Sequence, residues 1–188
     1  MRVIGGIAKG RALKAVPGDS TRPILDRVKV PLFDILRPTL PGISVLDLFG
    51  GTGSVGIEAL SQGAEHCVFL DTSAKAVAII KENLETTGLS TKSEVRHTDA
   101  FLYLKNTNRS FDLIFVAPPQ YKGIWVEAMR LIGERPHLLN SGGQIIVQID
   151  PKEYEELELS AFKETQQRKY GSTVLIFFSA RQESGLTE

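Results

Sequence analysis

The sequence predicts an α/β fold: a mostly parallel, doubly wound, Rossmann-like sheet with a C-terminal antiparallel hairpin and a small N-terminal β-hairpin extension. Three observations carry this. From residue 43 onward, short apolar runs alternate with segments of helical periodicity. The first run passes into a glycine loop and then a helix, the arrangement that opens a nucleotide-binding βα unit. The chain closes on two β-rich runs that meet at Tyr170-Gly171.

In chain order, RVIGG and GRALKAV read as two short strands joined by a Gly/Lys turn, and residues 17–24 as a loop. Residues 26–37 place Val28, Leu32, Ile35 and Leu36 at helical spacing. Pro31 falls inside that pattern, so it belongs to a first turn or breaks the helix. ISVLDLF (43–49) is apolar almost throughout, as a strand buried on both faces must be. SVGIEALSQG is a helix ending at glycine. HCVFLD (66–71) is the second parallel strand. Ser73 caps a helix that stops at Gly88. EVRH (94–97) is a short strand, Asp99 caps a helix through Lys105, and FDLIFV (111–116) is another buried strand. A helix over 123–133 and the strand GGQIIVQI (142–149) follow. We divide the chain into a basic arm (1–25), a main domain (26–182) and a polar tail (183–188).

Composition narrows the functional classes. Hydrophobic residues make up 42% of 188, enough for one packed domain. No apolar run approaches the roughly 18 residues of a membrane span, and the N-terminus lacks the apolar core of a secretory signal. The single cysteine, Cys67, lies in a buried strand and reads as packing. These features point to a cytoplasmic protein, and nothing requires more than a monomer. His66, His97 and His137 lack metal-ligand spacing, so no metal is assigned. Net charge is zero but unevenly spread: residues 1–30 hold seven cationic side chains against two acidic ones, a net of +5, leaving −5 on the rest. A basic arm on an acidic body suits a polyanion such as RNA.

The most informative stretch is Val45–Gly56, VLDLFGGTGSVG. Gly51, Gly53 and Gly56 fit the G-x-G-x-x-G spacing, and Asp71 follows Gly51 by 20 residues, so a dinucleotide is a rival ligand. Asp47 argues against it. A pyrophosphate needs positive potential beside the loop, and a carboxylate there repels it. S-adenosylmethionine (SAM) has no phosphate and carries an ammonium and a sulfonium, which an acid attracts. Asp71, at the end of the second strand, can accept bonds from ribose hydroxyls, with Thr72 beside it. Asp99 and Ala100 follow the third strand, where the adenine edge would lie. Asp99 could equally be a plain helix cap. Ala117-Pro118-Pro119-Gln120-Tyr121 forms a stiff turn after the fourth strand, at the edge where an acceptor would meet the methyl group.

The chain resembles, along essentially its whole length, the bacterial small-subunit ribosomal RNA guanine-N2 methyltransferases of the RsmD type. RVIGG-IAKGRAL is similar to that family's opening hairpin, RP-IL-DRVK-VPLFDIL to its RPTxxDRVREALFxxL segment, and DLFGGTGSVGIEALSQGA to its glycine loop and following helix. The resemblance implies a class I SAM-dependent methyltransferase fold, SAM as cofactor and small-subunit ribosomal RNA as substrate. It implies cofactor roles for Asp47, Phe49, Gly51, Gly53, Asp71, Thr72, Asp99 and Ala100. It places Ala117, Pro118, Pro119, Gln120 and Tyr121 at the family's (D/N)PP(F/Y) acceptor motif. Arg2, Lys9, Arg11, Arg22 and Arg27 then become candidate phosphate contacts. The departures lie at the acceptor. Ala117 stands for the acid or amide and Gln120 for the aromatic, while Ile24, Lys29, Val30 and Pro31 differ upstream. A SAM-binding, RNA-associated relative with lost or altered catalysis is therefore the alternative. A NAD-dependent oxidoreductase and a methyltransferase for protein or small molecules are the further rivals.

Overall fold

The computed structural model describes residues 1–18 and 23–182, so Arg22 and the tail at 183–188 lie outside the described residues. Its elements are α1 (Asp26–Leu36), β1 (Ser44–Asp47), α2 (Ser54–Ser61), β2 (His66–Asp71), α3 (Ala74–Thr87), β3 (Ser93–His97), α4 (Ala100–Asn106), β4 (Phe111–Val116), α5 (Ile124–Glu134), β5 (Leu139–Ile149), β6 (Phe162–Tyr170) and β7 (Thr173–Ala180). The seven strands form one sheet in the order β3-β2-β1-β4-β5-β7-β6. The first five run parallel, while β7 is antiparallel to both β5 and β6.

Strand alternation feeds two cores. Val45, Cys67, Phe69, Leu113, Phe115 and Ile146 face α1, α2 and α3. Leu46, Val68, Leu70, Ile114, Val116, Ile145 and Val147 face α4 and α5. Both faces being covered, the central strands are apolar along their middles, with polar residues such as Ser44, Asp47, Asp71 and Asp112 confined to their ends. Each fully buried Leu, Val or Phe contributes roughly 1.5–3 kcal/mol, so the two layers dominate stability. Gly56 shows how tight the first layer is: a Cβ there would lie 2.3 Å from the Phe69 ring. That glycine sets how closely α2 approaches β2.

Three expectations change. The N-terminal strands reduce to one antiparallel bridge, Arg2 with Ala12, with Val3 N–H donating to the Arg11 carbonyl and Gly10 N–H to the Val3 carbonyl. Other arm backbone groups bond to α2: Ile4 and Gly5 N–H groups donate to the Glu58 carboxylate, and Ala8 N–H to Ser61 Oγ. Pro31 neither starts nor breaks α1, which runs through it. Burial of Val28, Leu32, Phe33 and Leu36 offsets the one backbone bond that proline removes. Finally, β1 ends at Asp47, because the chain then turns into the glycine loop.

Lys29, counted in the basic arm by sequence, is wholly buried and pairs with Glu58 at 3.0 Å. Its ammonium also donates to Ser54 Oγ (2.9 Å) and the Arg2 carbonyl (3.2 Å). All three of its donors are thus used. This residue ties arm, α1 and α2 together and offers nothing to a polyanion.

Candidate functional site

The parallel strands β1, β2, β3 and β4 end on one edge of the sheet, and the sequence-predicted cofactor residues gather there. Gly53 sits in the left-handed region (φ 81°) and opens α2, a conformation glycine adopts without cost. Gly53 N–H donates to the Gly50 carbonyl at 2.8 Å, closing the turn. Gly50 N–H donates to the Leu70 carbonyl at 2.7 Å, which sews the loop to β2. Asp71 braces the same loop: its carboxylate accepts from Gly51 N–H and from Ser73 N–H, each at 2.9 Å. Thus the acid expected at the ribose also holds the loop open.

Asp47 is only 2% exposed. Burial, reinforced by the nearby negative charge of Asp71, pushes its carboxyl from an ordinary 3.8 up to about 7, against the opposing backbone bonds from Gly56 and Phe49. Two acids beside a glycine turn, one of them poised to hold its proton near neutrality, suit a cationic ligand better than a pyrophosphate. Phe49 is half-buried against the second core. Asp99 caps α4 by accepting from Leu102 N–H at 2.9 Å, and Ala100 is buried behind it. Thr72 is exposed, and its carbonyl meets His97 Nε2 at 2.8 Å.

After β4 comes the turn 117–121. Ala117 is partly buried against the first core, together with Ile24 and Tyr170. Tyr121 has φ 63°, a left-handed conformation uncommon for a bulky residue. Two acids beyond β5 hold it: its N–H donates to Glu153 Oε1 and its hydroxyl to Asp150 Oδ2, both at 2.6 Å. Tyr121 is therefore turned toward the end of β5. Asp150, Glu153 and Tyr170 escaped sequence reasoning. The first two lie beyond a strand with no motif of their own, and Tyr170 is recognisable only as a turn residue.

The candidate RNA contacts divide. Arg2, Lys9 and Arg11 are exposed on the N-terminal arm. Arg27, on the first turn of α1, lies elsewhere, against the Tyr170-Gly171 turn: a Cβ on Gly171 would sit 3.2 Å from its guanidinium. β6 is parallel to β5, so that turn projects on the same edge as the glycine loop. Among the described residues, no helix is long and apolar enough to cross a membrane.

The family described as Conserved hypothetical protein 95 matches residues 1–179. The chain is 38% identical over 184 residues to a putative rRNA methyltransferase, YlbH, of Bacillus subtilis, covering 96% of this chain and all of that protein. It is 34% identical over 137 residues to the ribosomal RNA small subunit methyltransferase D of Haemophilus influenzae, covering 71% of each. A putative methyltransferase, yhhF, of Escherichia coli superposes with a TM-score of 0.86 at 25% identity, over 96% of this chain and 97% of that one. The fold is that of class I methyltransferases. Its antiparallel β7, inserted between β5 and β6, separates it from the dinucleotide-binding order 3-2-1-4-5-6.

Proposed function

Because the chain belongs to the Conserved hypothetical protein 95 family, the RsmD type, we propose that it is a SAM-dependent methyltransferase acting on the exocyclic N2 of a guanine in small-subunit ribosomal RNA. Asp47 carries the cofactor part of this reading. A buried acid with a second acid beside it and a raised pKa is an unfavourable arrangement until a cation arrives. Asp47, Phe49, Gly51 and Gly53 would take the methionine end of SAM, Asp71 and Thr72 the ribose, and Asp99 and Ala100 the adenine edge. Bound SAM supplies a methyl group activated on a sulfonium.

The chain's own residues then have two tasks. One is alignment, since an in-line displacement gains most from a fixed distance and direction. The rigid Pro118-Pro119 turn, held through Tyr121 by Asp150 and Glu153, supplies that fixity. The other is to draw charge from an exocyclic amine whose lone pair is delocalised into its ring. A hydrogen-bond acceptor facing the amine does this. Ala117 has no side-chain acceptor, which leaves the Pro118 carbonyl, helped by Gln120. Arm residues Arg2, Lys9 and Arg11, with Arg22 and Arg27, are read as phosphate contacts around a flipped-out base. Residues 1–25 then serve as an RNA arm on the methyltransferase domain at 26–182, in a cytoplasmic monomer.

The same acceptor turn favours a second reading, a SAM-binding, RNA-associated relative with lost or redirected chemistry. Labelled methyl transfer to ribosomal RNA separates the two. The wild type is expected to transfer methyl slowly, and Ala117→Asp with Gln120→Phe to raise the rate about 10-fold or more, the scale of one positioned proton acceptor. SAM binding with no transfer by either protein supports the second reading. Equal transfer by both, on the same target, removes this turn from the acceptor site.

A further inference from the structure

A cleft of about 480 Å³ opens on the outer edge of the sheet, between β3 and α4. Arg96, His97 and Thr98 line one side, and Tyr103, Asn106 and Arg109 the other. Its floor holds an anomaly. Tyr103 is only 6% exposed, and its buried hydroxyl has no hydrogen-bond partner among the described residues. Burying a polar group unpaired costs free energy, and most buried polar groups have a partner in the protein or in ordered water, so this hydroxyl is a donor still to be satisfied.

The charges around it are arranged in a fixed way. The Arg96 guanidinium lies over the Tyr103 ring, 5.6 Å from its centroid. Arg109 lies over Phe111 at the same separation. Glu94 bridges the two arginines, accepting from Arg96 Nε and, at 2.6 Å, from Arg109. Burial would raise the Glu94 carboxyl, but the bonds from Arg109 and Arg96 outweigh it and hold the group below its ordinary range. Two guanidiniums against one carboxylate leave a net positive charge. Each arginine keeps further N–H groups for another acceptor, since a guanidinium has five. Across the sheet edge, His97 Nε2 is tied to the carbonyl of Thr72, so the cleft adjoins the cofactor edge.

We infer that this cleft binds a phosphate group of the RNA strand being methylated, with Tyr103 Oη–H and the two arginines as donors. The inference rests on the RNA-methyltransferase reading and deepens it. It adds a contact on the β3 edge, separate from the basic arm. Phosphate suits the site because Arg96, Arg109, Asn106 and Tyr103 all carry donors, no carboxylate is among the lining residues, and a paired guanidinium fork matches its oxygens.

The test is fluorescence anisotropy of a labelled small-subunit ribosomal RNA fragment with the full chain, Tyr103→Phe, and the double variant Arg96→Gln, Arg109→Gln, over a range of salt. SAM binding by each variant verifies the fold. The double variant is expected to bind RNA roughly tenfold more weakly, with a log–log salt slope shallower by about 0.7, the value of one single-strand phosphate. Tyr103→Phe is expected to lose about three- to tenfold in RNA affinity while melting no lower than wild type, because the deleted hydroxyl had no partner to lose. Identical affinities and slopes in all three proteins would overturn the cleft assignment alone. Inorganic phosphate is the second probe. If it raises the melting temperature of wild type but not of the variants, while their RNA affinities agree, the cleft takes free phosphate and the RNA assignment falls. If the wild type binds SAM but no RNA, the broader reading fails, and this one with it.

Discussion

Asp47 concentrates the chemistry of the cofactor edge in one titration. Its folded pKa of about 7 lies above the ordinary 3.8, so folding favours the protonated form. That contribution to stability is full below the unfolded value and is lost as pH rises toward 7. A cationic ligand acts in the opposite sense, favouring the ionised carboxylate and expelling a proton. SAM affinity is therefore expected to fall as pH drops below 7, by at most about tenfold per unit. Calorimetry in two buffers of different ionisation heat reads the released proton directly. Asp47→Asn should bind more weakly with no such dependence, and a pH-independent wild type would show that Asp47 is not beside the ligand. Asp47 was legible in the sequence because strand, acid and glycines are contiguous there. Tyr121 was legible only as a residue type. Its left-handed backbone and its bonds to Asp150 and Glu153 join parts of the chain 29 and 32 residues apart, a pairing that no local pattern announces.

At the scale of elements, the helices and central strands follow from local rules. Ser73 and Gly88 bound α3 as cap and stop, with Ser73 Oγ accepting from Ala76 N–H and Gly88 at φ 72°. The arm does not follow from such rules. Two predicted strands become one bridge, since α2 satisfies their amides through Glu58 and Ser61. Lys29 looked like one more basic residue because its partner Glu58 lies 29 positions away, on another helix. Breaking that pair strands a buried carboxylate. Lys29→Met is accordingly expected to cost about 3–5 kcal/mol in chemical denaturation. Lys29→Met with Glu58→Gln should recover part of that, by removing the lone charge while keeping an acceptor for one of the two amides, Ile4 or Gly5. A loss under about 1 kcal/mol from the single change, the scale of an exposed pair, would mean that the ion pair does not anchor the arm.

At the scale of the whole molecule, the sheet sorts its work by edge. Glycine loop, paired acids and the turn at 117–121 share the carboxyl edge of the parallel strands, where open α/β sheets bind ligands. The basic arm packs on α2 behind the loop, and the β3–α4 cleft flanks the other side. The doubly wound fold was legible because both core layers repeat along every central strand. The site was legible only where it is continuous in sequence, and the wall proposed to meet the acceptor is assembled from the ends of β4, β5 and β6. The most direct measurement is mass spectrometry of nucleosides from small-subunit ribosomal RNA, in cells with and without this gene. N2-methylguanosine is expected to drop when the gene is absent and to return with the wild-type chain but not with Asp47→Asn. An unchanged nucleoside profile in the two strains would contradict it.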